Sequence, residues 1–418
     1  MNQSITFQQC AALYIERKAK RNQLKPKTIS GYAYLLNRLN ETFGSKLVAE
    51  ITVADIELFI DGLYTEEQRS DPSAVAYELA NVLSKAGLSR AALAKRCGLC
   101  VGTVEAAAKG KTVKLKSAEK IAMVLGQSVT DIFEVGVKKE RLSDKSILEH
   151  FRLLRAILNF AIRQEWIQTN PCSRVETPGQ QNKKINYYQP DLAWKILNAL
   201  NSEDIKWKTF VHLLLVTGAR RGEIAALDWS KIDFKYNIIE ISQNLVYIPK
   251  EGLKLVSPKG NRPRYIKIPQ ETIKILLEYK AAYEAQKQKA GSRWHKAVKE
   301  QQRYFEKMCD NTEFLFVQRG TTGFPMHPDS ANNFLIRFQE RNGFPHLNPH
   351  AFRHSMASIL IFEGQDIVSI SHRLGHRHPS TTSDMYGQLI LLADARNSAC
   401  IADVLLRKPD SAELCKVN

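Results

Sequence analysis

No apolar run in the chain reaches the roughly 18–20 residues that a membrane-spanning helix needs. The opening MNQSITFQQC has neither a basic n-region nor an apolar h-region, so no secretory signal is expected. Cysteine is sparse and odd in number, seven in 418 residues, which argues against a disulfide framework and for a reducing compartment. Acid is also short: 43 Asp and Glu face 60 Lys and Arg, a net charge of +17. A secreted disulfide scaffold and a membrane protein are thereby excluded, and a cytoplasmic chain is expected. The surplus of positive charge points to a polyanion, nucleic acid first.

Chemistry concentrates in HAFRHSMASILIFEGQDIVSISHRLGHRHPSTTSDMY, residues 350–386. His350 and Arg353 lie three apart in a helical pattern, so both emerge on one face. A cation beside a proton carrier suits a phosphate. Gly375 in Leu-Gly-His is a natural left-handed helix stop, and the turn-and-cap signal Pro379-Ser380-Thr381-Thr382 precedes Tyr386. A phenol of pKa about 10 is a poor nucleophile at neutral pH unless its anion is stabilised. Upstream, the apolar TFVHLLLVTG leads into Ala219-Arg220-Arg221-Gly222-Glu223.

HAFRH, LGH and STTxxxY in this order, behind a TGxRxxE box that puts Arg220 on its arginine, resemble the tyrosine recombinase (phage integrase) family. The fold expected is mainly α with a small β-sheet (α+β), a helical core-binding domain followed by a catalytic domain. The resemblance implies that Tyr386 attacks the scissile phosphate to give a 3′-phosphotyrosyl link and a 5′-hydroxyl. Arg220 and Arg353 clamp the non-bridging oxygens, His350 takes the tyrosine proton, and His376 donates to the phosphate or positions the nucleophile. Glu223 supports Arg220. The strand-like runs LKLVS and RYIKIP flank Pro258-Lys259-Gly260-Asn261, read as a hairpin turn. KGNRPRYIKIP resembles the family's KGxxxRxVPL stretch, which makes Lys259 the general acid, with Lys254 and Lys267 as competitors.

Residues 1–70 and 138–172 read as one discontinuous helical DNA-gripping domain. Phe7, Ala11, Tyr14 and Ile15 share a face; Ile147, Phe151, Leu154 and Leu158 form another stripe. Basic residues Arg17, Lys18, Lys20, Arg21, Lys25 and Lys27, with Arg152 and Arg155, are expected to meet DNA phosphates, which dominate affinity without reading sequence. Between the two halves, residues 71–137 resemble the helix-turn-helix of phage-repressor-type regulators, an inserted all-α domain. Ala94 fits the close helix crossing, Gly98 the turn and Val104 the buried position. Its second helix offers Val101, Gly102 and Thr103 where base-reading polar groups belong, although Lys109, Lys111, Lys114 and Lys116 suit phosphates. An auxiliary DNA contact and a protein–protein module both stay open. Cys97 and Cys100 lack the second pair of a zinc site.

Residues 173–187 form the linker, with Lys183 and Lys184 suited to a strap along DNA. The catalytic domain spans 188–398, and 399–418 is a tail suited to docking on a neighbouring subunit. No arm-binding segment is expected before Phe7. No metal or other cofactor is expected, because no carboxylate cluster suited to Mg²⁺ accompanies the motifs. The partners implied are double-stranded DNA at the attachment sites of a mobile element, further copies of the chain in a tetramer, and an excisionase or host DNA-bending protein. A nucleoid-associated enzyme follows. The rival readings are a non-enzymatic DNA-binding regulator and a topoisomerase-like strand relaxer.

Overall fold

Thr6 starts the chain's first helix. Its hydroxyl accepts the Gln9 amide while the Gln9 side chain returns to the Thr6 amide, a capping box that opens α1 (Phe7–Lys20). Pro26 launches α2 (Pro26–Phe43) from N1. Thr52 and Asp55 exchange the same reciprocal bonds before α3 (Val53–Thr65). The computed structural model describes residues 5–21, 24–65, 67–69, 73–136, 139–177, 186–248, 251–258, 262–296, 312–318, 323–387 and 402. The chain divides into two compact units, Met1–Asn182 and Lys183–Asn418.

The first unit holds two separate cores. After α3 a short strand β1 (Glu67–Arg69) leads to residues 73–136, comprising β2 (Ser73–Ala76), α4 (Leu79–Lys85), α5 (Arg90–Cys97), α6 (Val101–Ala108), β3 (Val113–Lys114), α7 (Leu115–Leu125), α8 (Val129–Ile132) and β4 (Phe133–Gly136). Gly98 ends α5 in the left-handed region at φ 62°, and Ala94 and Val104 are buried where α5 meets α6. This segment is not all-helical as expected: β2 lies between β3 and β4 in an antiparallel sheet. The Ser-Ala-Val-Ala run alternates between half-buried and buried positions, yet four small residues are too few to announce a strand in sequence. The chain then returns through β5 (Lys139–Arg141), paired antiparallel with β1, into α9 (Asp144–Arg163). Ile147, Phe151, Leu154 and Leu158 of α9 pack with Phe7, Tyr14, Leu39 and Phe59 in the bundle core.

The second unit is built around α11 (Ile205–Thr217), which follows α10 (Pro190–Ala199). Phe210, Leu213 and Leu214 are fully buried, and each such side chain stabilises the unit by about 1.5–3 kcal/mol. A five-residue helix, α12 (Arg221–Ala225), precedes a three-stranded antiparallel sheet in the order β10 (Arg264–Lys267), β7 (Ile238–Ile241), β6 (Ile232–Asp233). A separate hairpin joins β8 (Asn244–Ile248) to β9 (Gly252–Val256). The expected hairpin across residues 258–261 is therefore corrected. β9 pairs back with β8, and β10 crosses to β7 because Ile266 and Ile239 face each other over the same core. Next come α13 (Gln270–Ala290), α14 (Ser330–Asn342), α15 (Pro349–Phe362), α16 (Ile367–Leu374) and the helical residues 379–387. α11 packs against both α13 and α15.

One close approach ties the sheet side to α12. A Cβ on Gly222 would stand 2.3 Å from the Asn244 side-chain oxygen and 2.7 Å from the Leu245 carbonyl. The latter is backbone and cannot swing aside. Gly222→Ala is expected to cost about 1–3 kcal/mol by overpacking. A thermal melt reads this as a lowered Tm, and an unchanged Tm would show that β8 does not approach α12 so closely.

Candidate active site

Asn348 caps α15, its side-chain oxygen accepting from the His350 and Ala351 amides, and Pro349 sits at N1. The cap fixes where Arg353 projects, one turn on. Arg353 is 3% exposed. Its Nη1 donates to the Gly218 carbonyl at 2.7 Å and its Nη2 to the Leu374 carbonyl at 2.7 Å. Both acceptors end helices: Gly218 closes α11 at φ 63°, and Leu374 is the last residue of α16 before Gly375 at φ 67°. Helix C-termini carry partial negative charge, so they suit a buried cation. Burial first, and then the Arg220 charge, pull the Arg353 pKa down to about 9, still above neutral pH, so the guanidinium stays charged.

Arg220 is the N-cap of α12. Glu223 accepts its amide at 2.9 Å through Oε2 and its Nη1 at 2.9 Å through Oε1. Glu223 is buried, and the second cation on it is Arg264 of β10, whose Nη2 donates to Oε2 at 2.6 Å. Burial works against the Glu223 charge. The hydrogen bond and charge of Arg264, with the charge of Arg220, outweigh it and hold the carboxyl below the ordinary glutamate value. Arg221, the register neighbour of Arg220, turns away to pair with Asp329 at 2.6 Å.

His376 is held from both ring nitrogens. Nε2 lies 3.0 Å from Arg353 Nη2, and Nδ1 lies 2.8 Å from the hydroxyl of buried Thr382. A guanidinium can only donate, so Nε2 accepts, and the ring proton is assigned to Nδ1. Tyr386 is 1% exposed, and its hydroxyl pairs at 2.7 Å with Nδ1 of His354. Burial pushes the phenol up to about 12 against the lowering effect of Arg353. Burial, then the charges of His350 and Arg353, hold His354 down to about 4. A neutral imidazole thus faces a protonated phenol.

The fold accordingly gathers Arg220, Glu223, Arg353, His376 and Tyr386 from three stretches of chain, residues 218–223, 350–354 and 374–386. His350 is exposed, with its ring 4.6 Å from that of His354. The imidazole on the Tyr386 hydroxyl is His354, a correction to the partner expected from sequence. The signal was present: His354 stands four residues after His350, on the same helix face. Arg264 was missed as a site residue although it falls on the arginine of the KGxxxRxVPL pattern; β10 alternates Arg264 and Ile266 inward. Lys259 lies outside the described residues. Of its competitors, Lys254 pairs with Glu251 and Lys267 is exposed on β10. Among the described residues no group of three or more His, Cys, Asp or Glu side chains could hold a metal ion.

In the first unit Arg17, Lys18 and Arg21 line a cavity of about 620 Å³ together with Arg163 and Phe160. Arg17 donates to Gln164 and rests over the Phe160 ring. Lys20 pairs with Glu16 and Arg152 with Glu149, exposed ion pairs that hold their cations weakly. Lys27, Arg155, Lys109, Lys111 and Lys114 are exposed, and Lys25 precedes α2 half-buried. Lys183, Lys184 and the apolar run 388–401 lie outside the described residues. No helix among the described residues is long and apolar enough to cross a membrane.

Residues 187–389 match the family model described as the phage integrase family. The ICEBs1 integrase of Bacillus subtilis strain 168 is 26% identical over 269 residues, covering 64% of this chain and 68% of that protein. A tyrosine recombinase XerC-like protein of Caldanaerobacter subterraneus is 24% identical over 268 residues, 59% and 63% of the two chains. The matches thus span about two thirds of these relatives. The Tn1549 transposon integrase, solved in complex with transposon right end DNA, shares the fold at a TM-score of 0.60 and 16% identity, covering 94% of this chain and all of that one. Residues 187–389, just under half of the chain, thus match the phage integrase family, and the sequence relatives are tyrosine recombinases and integrases.

The depressed His354 fixes the sign of a pH effect. Between its free value of 6.5 and about 4 the unfolded chain binds a proton that the folded chain refuses, so stability is lost as pH falls through that window. His212, also near 4, adds a like effect. His354→Gln removes only its own share. The Tm difference between wild type and variant is expected to shrink on going from neutral pH to about 4.5, whereas parallel Tm curves would contradict the burial of a neutral His354.

Proposed function

We propose that the chain is the integrase of a mobile element, cutting and rejoining double-stranded DNA at the element's attachment sites. The observation that carries this reading is the cluster in which one buried guanidinium, Arg353, joins His376 to the ends of α11 and α16, with the buried Tyr386 hydroxyl on His354 one residue along the same helix. Tyr386 Oη attacks the scissile phosphorus, and the P–O5′ bond breaks as the 3′-phosphotyrosyl bond forms. The phenol proton passes to the histidine pair, His354 in direct contact and His350 behind it. The departing 5′-oxygen takes a proton from Lys259. Arg220 and Arg353 stabilise charge on the non-bridging oxygens, where preorganised donors act most strongly. His376, accepting from Arg353 on one side, stays oriented for the phosphate. Rejoining reverses the sequence, so the bond energy is conserved without ATP, and the arginines take the part a metal plays elsewhere.

In this reading the basic side chains of the first unit, Arg17, Lys18, Lys20, Arg21, Lys25, Lys27, Arg152 and Arg155, grip the phosphate backbone, and Lys183 and Lys184 strap the linker along it. Two duplexes need four active sites, hence a tetramer on DNA, assisted by an excisionase or a host DNA-bending protein. The chain then works in the cytoplasm, on the nucleoid. Residues 1–70 with 138–172 act as the gripping domain, 71–137 as an insertion carrying Lys109, Lys111 and Lys114, and 188–398 as the catalytic domain.

The test uses a duplex selected from a random pool by binding to the Tyr386→Phe protein, then nicked and incubated with enzyme in chelator. Wild type is expected to yield a denaturation-resistant adduct mapping to Tyr386, Tyr386→Phe none, and Arg353→Lys about 100-fold less. An adduct that survives in Tyr386→Phe sinks the reading.

A further inference from the structure

Arg264 makes no contact that the reaction above uses, yet it is 4% exposed and donates from both Nε and Nη2. Its Nη2 donates to Glu223 Oε2 at 2.6 Å and its Nε to the Arg373 carbonyl at 2.9 Å. A Cβ on Gly375 would stand 3.0 Å from its Nη1. One guanidinium therefore spans from the carboxylate that holds Arg220 to the backbone of the Leu-Gly-His turn that presents His376. Two halves of the phosphate site, over 140 residues apart in sequence, are joined through it.

We propose that Arg264 is a positioning residue for strand cleavage, setting Arg220 through Glu223 and His376 through the Arg373–Gly375 backbone. The inference rests on the recombinase reading and deepens it.

The arrangement is directional. Glu223 has two acceptor oxygens: Oε1 serves Arg220 Nη1, while Oε2 is shared by the Arg220 amide and Arg264. A carboxylate tethered by Arg264 on one side presents its other oxygen at a fixed place, and Arg220 is aimed from there. The charged groups that act on Glu223 are Arg220 at the N-cap of α12, Arg264 from β10 and Arg353 from α15. With Arg264 gone, burial is opposed by fewer charges, and Glu223 takes up a proton at higher pH than in wild type. A protonated Glu223 cannot accept from both Arg220 groups, so cleavage acquires an acid limb that wild type lacks in the working range. A displaced guanidinium also slows the chemical step, since misplacement by about 1 Å costs on the order of 100-fold.

The measurement is the single-turnover rate of adduct formation on the nicked selected duplex, at saturating DNA, from pH 5 to 9, with binding measured alongside. Arg264→Met is expected to keep DNA affinity within about threefold, to lose at least about tenfold in rate at pH 8, and to fall further towards pH 5.5, where wild type stays flat. The double variant Arg264→Met, Glu223→Gln is expected to lose the new limb, because a glutamine does not titrate. Arg264→Lys keeps a charge beside Glu223 but cannot span to the Arg373 carbonyl. It is expected to show no new limb and a reduced rate, and it carries the test if the methionine variant fails to fold. A rate loss in Arg264→Met with no change in pH profile, or an Arg264→Lys enzyme as fast as wild type, overturns the proposal. If wild type itself forms no adduct dependent on Tyr386, the recombinase reading has failed instead.

Discussion

A cation buried without a carboxylate of its own is the constraint on which the catalytic unit depends. Arg353 is satisfied by the Gly218 and Leu374 carbonyls and by His376, all neutral groups. Removing a charge from water costs several kcal/mol, and only good geometry offsets it. Both helix ends must therefore stay where they are. The Gly218 and Gly375 caps follow from this, since each turns the chain left-handed where a carbonyl, Gly218's own and that of Leu374 before Gly375, meets the guanidinium. Because no acid among the described residues pairs with Arg353 directly, its charge remains for an anion arriving from outside.

Glu223 solves a different problem. Two guanidinium groups share one carboxylate, so neither is fully neutralised, and the acid serves to aim rather than to cancel. The histidines complete the division of labour. His376 is held between Arg353 and Thr382 and so stays oriented, while His354 is kept neutral by burial and by the charges around it. Each imidazole is set by its neighbours before any substrate arrives.

Much of this was legible in residue order. Helix stops at Gly98 and Gly375 and the apolar stripe of α9 follow local rules, and the elements form where those rules place them. The boxed residues were legible because the chemistry tolerates few substitutes for an arginine or a tyrosine. What stayed hidden depends on distant partners. Arg264 is inward-facing only because β10 crosses to β7 instead of folding back on β9, and no local pattern announces that pairing. His354 was overlooked for the opposite reason: it was plainly visible, but which of two imidazoles in edge-to-face contact meets the phenol is decided by the arrival of residues 379–387 from another direction. The β2 strand was too short and its residues too small to stand out from the surrounding loop.

The ladder of Glu67–Arg69 against Lys139–Arg141 means that the chain leaves the bundle and comes back to it one strand-spacing away, about 5 Å. Residues 73–136, strung between those rungs, pack on a core of their own. Closing a loop becomes dearer only with the logarithm of its length, so some sixty extra residues add little over a short turn. The bundle can thus carry a passenger of almost any size at this doorway, and a lineage could trade one passenger for another without disturbing the helices it is spliced into.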